Sequence, residues 1–298
     1  MRALDLASLE VFKAVVDEGG INRAAEKLHR VQSNVTTRIK QLEERLGTQL
    51  FHRSQRRMVL TQDGERLLVF ANRLLNLADE AESAITSQRP GGVLRIGTME
   101  STAASRLPPV LSTYHERFPD VRLELTTDTT GALLQQLRQC AIDVAFVAEP
   151  VQTEALATQF AFDEELVLIT PPTTDSVDNA STVAHHTIIT FSHGCAYRAR
   201  LERWLAESRV VPLRVMEFGS YHAIIACVAA GAGIAIVPRS VLDLAMIGTR
   251  LSVHALPPHI ANAGTLMVYQ PSASTAALEA LAQVIDEQNQ VTQRTRTA

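Results

Sequence analysis

The sequence predicts an α/β body of two subdomains, preceded by an all-α head with a β wing and by one long linker helix. Three patterns indicate this architecture: three short apolar repeats at helical spacing in the first 46 residues, one longer repeat after residue 61, and alternating strand-like and helix-like segments from residue 93 onward. The 298 residues suit about two domains. Hydrophobic residues make up 46% and charged residues 20% of the chain, so it can bury sizeable cores.

Basic and acidic residues are unevenly distributed along the chain. Residues 1–60 carry 11 Lys or Arg and 7 Asp or Glu, a net charge of +4, whereas the whole chain has a net charge of −4. The remaining residues therefore carry a net charge of −8. A basic head on an acidic body predicts a polyanionic partner for the head alone.

Export and membrane segments are not expected. Residues 1–13 contain acidic residues and no continuous apolar stretch, which is unlike a signal or transit peptide. The longest apolar run, residues 224–237, contains two glycines and is shorter than the roughly 20 residues of a membrane span. Cys140, Cys195 and Cys227 are too widely spaced for a CxxC pair, and their odd number argues against a disulfide framework. We expect a cytoplasmic protein.

Three short amphipathic segments predict the helices of the head. Glycines at positions 19, 20 and 47 and a break at residues 29–31 separate them. Two short helices joined by a tight turn, with a third packed behind, form a helix-turn-helix. The apolar stripes are Leu9, Phe12 and Val16; Ile21, Ala24, Ala25 and Leu28; and Val35, Ile39, Leu42 and Leu46.

A hairpin and a long helix are expected next. Residues 49–51 and 58–60 resemble two short strands around a basic turn at residues 53–57, which predicts a wing. Thr61 is suited to cap a helix over residues 62–88, with Asp63 in its first turn. A narrow heptad stripe on that helix predicts a homodimer formed through it. The stripe consists of Leu67, Ala71, Leu74, Ala78, Ala81 and Ile85.

The body is expected to alternate strands and helices, as in a parallel sheet flanked by helices. Seven strands exceed one small sheet, so we expect two subdomains with a cleft between them. The predicted strands are Val93–Met99, Val121–Thr126, Val144–Val147, Leu166–Thr170, Thr187–Phe191, Arg214–Phe218 and Ile234–Val237.

The second helix of a helix-turn-helix enters the major groove of DNA at its N-terminal end, so polar side chains are required there. With Val35, Ile39 and Leu42 turned inward, every outward position at this end is a hydrogen-bonding residue. Arginines in the wing are expected to contact phosphates or the minor groove. The alternative is a solvated helix face and an exposed basic turn. The predicted DNA-binding residues are Gln32, Ser33, Asn34, Thr36, Thr37, Arg38, Arg53, Arg56 and Arg57.

A dense set of motifs runs through the head and a looser one through the body. In the head these are Leu9-x-x-Phe12, Ala24-Ala25-x-x-Leu28-His29, Gln32-x-x-Val35, Arg38-Ile39-x-x-Leu42-Glu43, Leu46-Gly47, Leu50-Phe51-x-Arg53 and Leu60-Thr61-x-x-Gly64. In the body they are Ile96-Gly97, Leu107-Pro108, Phe118-Pro119, Asp143-Val144-Ala145 and Gly231-x-Gly233-Ile234-Ala235-x-x-Pro238. These motifs resemble those of the LysR-type transcriptional regulators over nearly the whole chain. The resemblance implies a periplasmic-binding-protein-like effector domain of two subdomains and a homotetramer built from two dimers.

The chain departs from that family at two places. Val31 and Ser33 stand where the family usually has a Ser or Thr cap and a Pro, so Ser33 is expected to take over the capping. Cys140 replaces a frequent glycine at the end of a body helix, which leaves that helix without its usual C-cap. We expect a local change of the backbone there and no loss of the fold.

Loops after strands are the expected sites for an effector, because free backbone N–H groups collect there in open α/β folds. The resemblance implies that Ser101, Thr102, Thr129 and Gly194 border a small polar effector. The alternative is that such residues are helix caps and turn residues. The full set of predicted effector-binding residues is Glu100, Ser101, Thr102, Thr129, Gly194, Cys195 and Ser220. Because a buried anion beside an anionic ligand is costly, Glu100 favours a cationic or zwitterionic effector.

Two other functions fit the sequence less well than a regulator does. An enzyme lacks support, since GxSxG, P-loop and HExxH motifs are absent and GxGxxG is incomplete at Ile236. Cys195 near His193 is weak evidence for nucleophilic chemistry. His185 and His186 lack the accompanying cysteine and carboxylate ligands that a zinc site would need. A solute-binding protein would fit the body alone, but the lack of an expected export signal and the basic head both argue against it.

The sequence therefore predicts four segments. Residues 1–60 form the DNA-binding domain, 61–90 the linker and dimerisation helix, 91–162 with 268–298 effector subdomain I, and 163–267 effector subdomain II. The expected partners are double-stranded promoter DNA, a small polar effector and further copies of the chain, with RNA polymerase as a candidate partner. No cofactor, metal or membrane is expected.

Overall fold

The computed structural model describes residues 4–54, 57–86, 90–152, 155–172, 174, 176–245 and 250–297. They form two compact units: residues 1–88 with 138–141, and residues 89–137 with 142–298. Among the described helices, none combines the length and apolarity needed to cross a membrane.

The first unit contains the head and the long helix. Apolar side chains of its helices and of the wing enclose one core, centred on Phe12, Val35 and Leu42. The helices and wing strands that the sequence predicts are confirmed, although the first wing strand begins two and ends three residues later than predicted and the second begins one residue earlier. The elements are α1 Leu6–Asp17, α2 Ile21–Lys27, α3 Gln32–Leu46, β1 Phe51–Ser54, β2 Arg57–Leu60 and α4 Gln62–Thr86.

Side-chain hydrogen bonds fix the helix ends in this unit. Asp5 caps α1 by accepting from the backbone N–H of Ser8, with an O···N distance of 2.8 Å. Thr61 caps α4 as predicted, because its Oγ1 accepts from the backbone N–H of Gly64 at 3.0 Å. Gly64 itself lies against the wing, where an added Cβ would stand 2.2 Å from the carbonyl oxygen of Leu50.

The apolar residues of α4 do not form the single exposed heptad stripe that the sequence predicts. Leu67 and Ala71 are buried in the core of the head, so the prediction that they belong to an unpaired stripe is wrong. The heptad pattern alone does not say which side of the helix packs on the head. Outside that core α4 exposes Phe70, Leu74, Leu77, Ala81 and Ile85.

The second unit is an α/β structure. Its strands are β3 Gly92–Thr98, β4 Val121–Thr127, β5 Val144–Ala148, β6 Ala157–Thr170, β7 Ile188–Thr190, β8 Val215–Glu217, β9 Ala235–Pro238, β10 Ser252–Ala255 and β11 Asn262–Tyr269. Its helices are α5 Glu100–Ser105, α6 Leu107–Arg117, α7 Thr130–Arg138, α8 Ala196–Glu207, α9 Tyr221–Ala229, α10 Arg239–Ala245, α11 Pro258–Ala261 and α12 Ala276–Thr297.

One strand serves two sheets. Residues 157–165 of β6 pair with β11, beside β5, β3 and β4, and this sheet with α5, α6, α7 and α12 is called subdomain I. Residues 166–170 of β6 pair with β9 and β10, and this part with β7, β8 and α8–α11 is called subdomain II. The expected two-subdomain body is confirmed.

The expectation of a parallel sheet holds only for part of the body. Strand β3 pairs in parallel with β4 and β5, and β7 with β8. Strands β6, β9, β10 and β11 pair antiparallel, and the sequence prediction missed β10, β11 and the first half of β6. Strand β11 lies between β6 and β5 and runs antiparallel to both.

A buried polar cluster joins the two subdomains beside β6. Glu164 Oε2 accepts from Arg106 Nε of subdomain I at 3.1 Å and from Ser240 Oγ of subdomain II at 2.6 Å. Ser240 Oγ also lies 3.0 Å from Ser105 Oγ. Because Glu164 is only 8% exposed, these hydrogen bonds satisfy a charge that burial would otherwise disfavour.

Candidate functional sites

The first candidate site is the N-terminal part of α3. Val35, Ile39 and Leu42 are buried, as their spacing predicts. The polar residues between them face outward: Gln32, Ser33, Asn34 and Thr37 are exposed, and Thr36 and Arg38 are half-exposed. The helix therefore presents the hydrogen-bonding surface expected of a DNA-reading helix.

Two of these side chains have intramolecular partners. Thr36 Oγ1 donates to the carbonyl oxygen of Gln32 at 2.9 Å, as a helical threonine often does. Arg38 Nη1 lies 3.7 Å from Asp5 Oδ1, and Arg45 Nη1 lies 2.9 Å from Asp5 Oδ2. Hydrogen bonds from Ser8 and then Arg45 lower the pKa of Asp5 below its ordinary value. The Asp5 carboxylate thus forms ion pairs with two arginines of α3.

The start of α3 corrects one expectation. Val31 is the N-cap residue, with φ −76° and ψ 145°, and supplies no side-chain cap. The helix begins at Gln32, so the prediction that Ser33 takes over the capping is wrong. The first N–H groups of α3 therefore receive no side-chain cap from Val31, and Ser33 is left on the exposed face.

The wing brings two predicted arginines to the end of one hairpin. Arg53 lies in β1 opposite Met58, and Arg57 lies in β2 opposite Ser54. Arg56, the third predicted arginine of the wing, lies outside the described residues.

The second candidate site is a cavity of about 200 Å³ between subdomains I and II. Loops and helix N-termini of both subdomains surround it, as predicted for ligand sites of α/β folds. A volume of this size exceeds the roughly 150 Å³ that accommodates benzene in a protein interior, so it suits a small molecule. The lining residues are Met99, Glu100, Ser101, Thr127, Asp128, Thr129, Thr130, Phe191, Ser192, Cys195, Ala196, Tyr197, Gly219 and Tyr221.

The predicted effector residues divide into two groups. Glu100, Ser101, Thr129 and Cys195 line the cavity. The structure places the other three, Thr102, Gly194 and Ser220, outside that lining.

Each of these three has a structural position of its own. Thr102 is buried in α5, and Ser220 is the N-cap residue of α9. Gly194 has φ +91°, and an added Cβ would lie 3.1 Å from Thr129 Oγ1, so this glycine permits close approach of the two subdomains.

Aromatic rings that the sequence did not predict as site residues form one wall of the cavity. Phe191 and Tyr221 have ring centroids 4.7 Å apart, and Tyr197 and Tyr221 are each 3% exposed. Tyr197 is the second residue of α8 and Tyr221 the first of α9. Their places at helix N-termini were the available signal, but buried aromatics at such positions look like ordinary core residues.

Burial shapes the electrostatics of the cavity. It raises the pKa of Glu100, while the backbone N–H of Tyr221 and the ring of His222 act in the opposite direction. Among the described residues, Glu100 Oε2 is buried without a hydrogen-bond partner. Burial also raises the pKa of the Cys195 thiol, which therefore stays protonated and weakly nucleophilic at neutral pH.

A charged cluster supports the loop at Cys195. The guanidinium of Arg198 donates to Glu202 Oε1 at 2.8 Å and to the carbonyl oxygen of Phe191 at 3.1 Å. Its Nη2 lies 3.1 Å from His193 Nε2, and because arginine can only donate, that imidazole nitrogen is the acceptor. His193 is thus engaged by Arg198.

Comparisons with known proteins identify the two domains that contain these candidate sites. Residues 6–65 match the family of bacterial regulatory helix-turn-helix proteins of the lysR type, and residues 87–290 match the LysR substrate binding domain. A relative is the HTH-type transcriptional regulator CzcR of Bacillus thuringiensis subsp. konkukian, which is 34% identical over 97% of this chain and 99% of its own length.

Solved structures show the same fold. A full-length OxyR variant from Pseudomonas aeruginosa has a TM-score of 0.71 and 22% identity, covering 94% of this chain and 97% of its own. Full-length CbnR in complex with its target DNA has a TM-score of 0.67 and 20% identity, covering 95% and 99%. With two family matches that together span most of the sequence, the chain belongs to the LysR family of transcriptional regulators.

Proposed function

We propose that the chain binds an interrupted palindrome in promoter DNA as a two-fold pair, and that a small polar effector in the cavity changes how it binds. The observation that carries the proposal is the polar, outward face of α3 on a basic head, since such a face matches the major groove. It is a regulator of transcription acting in the cytoplasm, with RNA polymerase as a partner at the promoter.

The roles within the head follow from exposure. Gln32, Asn34 and Thr37 are exposed and suited to contact base edges, whereas the N-terminal N–H groups of α3 are suited to a phosphate. Arginines of the wing, Arg53, Arg56 and Arg57, position the head on the backbone or in the minor groove. Half-sites about one helical turn apart, or a multiple of it, match a two-fold dimer.

The pair forms through α4. The exposed apolar side chains from Phe70 to Ile85 would otherwise remain in water, and a second copy of the same helix covers them in an isologous interface. Two such dimers form the tetramer that the family resemblance implies.

Effector binding acts through the two subdomains. A ligand that contacts both walls of the cavity favours one arrangement of subdomains I and II, and thereby one spacing of the DNA-binding heads. Coupling of about 1–3 kcal/mol, the usual range for allostery, suffices for a several-fold change in promoter occupancy.

Catalysis is not part of the proposal. The cavity holds a thiol whose pKa burial raises, and the neighbouring His193 is engaged by Arg198, so the cysteine and histidine lack the arrangement of a nucleophile with its base.

Footprinting on genomic fragments, with and without candidate effectors, tests the proposal. We expect a dyad footprint that changes in length or in hypersensitive bands when the effector binds. A chain that protects no specific DNA, or whose footprint every effector leaves unchanged, would contradict it.

A matched pair of threonines tests the DNA-reading face. Thr37→Val removes an exposed hydroxyl and is expected to weaken specific binding by about 1–3 kcal/mol if a base contact is lost. Thr36→Val removes a hydroxyl that already bonds Gln32, so a smaller loss is expected. Mobility shift with specific and random DNA separates the two effects.

A further inference from the structure

The cavity between subdomains I and II is lined by acids and aromatic rings. Among the described residues of its wall, Glu100 and Asp128 are acidic, and none is Lys or Arg. The imidazole ring of His222, exposed on α9, acts to lower the pKa of Glu100. The wall therefore presents more negative than positive charge to a ligand.

Two buried acceptors on this wall are unsatisfied within the described structure. Glu100 Oε2 has no hydrogen-bond partner, and neither has Ser101 Oγ, although Ser101 is only 2% exposed. The hydroxyl of Tyr197 lies near Ser101 Oγ without reaching hydrogen-bond geometry. A buried carboxylate oxygen beside a buried hydroxyl, both without partners, is costly, and because both oxygens can accept, they indicate a ligand that supplies donors.

Asp128 differs from Glu100 in this respect. Its carboxylate is exposed, accepts from the backbone N–H of Thr129 at 2.7 Å, and accepts from Gln136 Nε2 at 3.1 Å. Both carboxylate oxygens of Asp128 thus accept a hydrogen bond, and the residue lies two positions before the start of α7. The unsatisfied negative charge of the cavity is that of Glu100.

The aromatic wall suits a cation. The rings of Phe191 and Tyr221 stand 4.7 Å apart at the cavity, and aromatic faces attract ammonium groups electrostatically. A carboxylate ligand would instead meet the Glu100 carboxylate in a half-buried setting, where like charges repel strongly.

We infer that the effector of this chain carries a primary ammonium group, which binds Glu100 Oε2 and Ser101 Oγ. The inference rests on the proposed function, because it assigns the chemical class of the molecule that occupies the same cavity. Burial raises the pKa of Glu100, and a bound cation offsets that penalty on the carboxylate. A ligand of roughly five to nine non-hydrogen atoms fits the cavity, by comparison with benzene in about 150 Å³.

Nine small probes test the inference on the full chain. The n-butyl, n-hexyl and benzyl skeletons are each used as the ammonium, the carboxylate and the alcohol, and binding is measured by thermal shift and titration calorimetry. We expect at least one ammonium compound to bind and its carboxylate and alcohol counterparts to bind at least tenfold more weakly. This factor is the lower end of what a hydrogen bond to a charged group contributes, about 1.5–3 kcal/mol.

Two charge-neutralising variants locate the interaction. Glu100→Gln is expected to weaken ammonium binding by about 10- to 100-fold, whereas Asp128→Asn, which neutralises the solvated carboxylate of the same wall, is expected to weaken it less than about threefold. Unfolding curves of both variants without ligand show whether either substitution damages the fold. If Glu100→Gln does not fold, Ser101→Ala replaces it and is expected to weaken ammonium binding as well.

Each other outcome is decisive. The inference is overturned if no ammonium probe binds, if a carboxylate or alcohol binds as tightly as its ammonium counterpart, or if Asp128→Asn has the larger effect. A carboxylate that binds and alters the DNA footprint would leave the proposed regulatory role intact. An ammonium compound that binds through Glu100 without altering any footprint would instead contradict the proposed role, while the assignment of an ammonium ligand to this cavity would stand.

Discussion

Arg38 and Asp5 form an ion pair across the head, with 3.7 Å between Arg38 Nη1 and Asp5 Oδ1. Asp5 immediately precedes α1, whereas Arg38 lies on the proposed DNA-reading face of α3. The pair orients a side chain that would otherwise be free at the surface. Such orientation reduces the entropy that Arg38 loses when it meets DNA.

Arg38→Ala is expected to weaken specific DNA binding by about 1–3 kcal/mol if Arg38 contacts a base edge. Arg45→Ala is the matched control, since Arg45 pairs with the same carboxylate from the other end of α3. The control should lower the melting temperature while the folded protein keeps its DNA affinity. Fluorescence anisotropy with specific DNA measures both, and equal losses for the two variants would contradict a direct role for Arg38.

Asp5 is expected to contribute a pH-dependent part of the stability. Its pKa in the folded chain lies below the ordinary value of 3.8, so its contribution is fully present above that value and is lost as the pH falls through the lower folded pKa. Asp5→Ala should cost about 1 kcal/mol near pH 7, as loss of an N-cap does, and the difference from wild type should shrink below pH 3.8. Thermal unfolding at several pH values tests this. A difference that grows on acidification would contradict it.

Leu77→Asp is expected to convert the proposed dimer into monomers. Leu77 is 60% exposed on α4, and a carboxylate there would be desolvated in the proposed interface. Gln62→Asp adds the same charge to the exposed start of the same helix and should leave the dimer intact. Light scattering with size-exclusion chromatography gives the mass, and tight DNA binding should fall with dimerisation because bivalency is lost. A dimeric Leu77→Asp protein would place the interface elsewhere.

Gly64→Ala is expected to destabilise the head even though alanine favours a helix. The new Cβ would stand 2.2 Å from the carbonyl oxygen of Leu50 and 2.8 Å from Leu60 Cδ2. Overpacking of this kind costs about 1–3 kcal/mol, which exceeds the gain of about 1 kcal/mol in helix propensity. Gly20→Ala meets nothing within 4 Å and should change stability by less than about 0.5 kcal/mol. Urea unfolding compares the two, and a stabilised Gly64→Ala protein would refute the close approach.

Cys195 is expected to react slowly with iodoacetamide. Its thiol pKa lies above the ordinary value of 9.0 because of burial, so little thiolate is present at about pH 8. The rate should be lower than in the urea-unfolded chain and should fall further when a ligand fills the cavity that Cys195 lines. Mass spectrometry of the peptide containing Cys195 follows the reaction. Rapid alkylation in the folded state would show that the thiol is activated.

Local patterns predicted the head almost completely. The inward stripe of Val35, Ile39 and Leu42 and the cap at Thr61 depend on neighbours in the sequence, so spacing and capping rules find them. The heptad of α4 failed at Leu67 and Ala71, because their burial depends on where α1 packs and not on α4 itself.

Tertiary contacts explain what was missed in the body. The first half of β6 ends in Asp163, Glu164 and Glu165, residues with low strand propensity, and Glu164 is buried there only because Arg106 and Ser240 bind it. Cys140 was expected to force an adjustment, and it does so locally by adopting φ +54°, where glycine is usual. The aromatic rings of the cavity come from separate helices, so no short sequence pattern joins them.

The shared strand β6 also limits how the effector domain can be dissected. Either subdomain, expressed alone with its own part of β6, would lose the continuation of a strand whose residues 157–165 and 166–170 are hydrogen-bonded in different sheets. A cut between these parts would leave a new chain end in the middle of the polar cluster around Glu164. The two subdomains are therefore expected to fold and to evolve as one inseparable piece, and grafting a foreign ligand pocket would require exchanging both together.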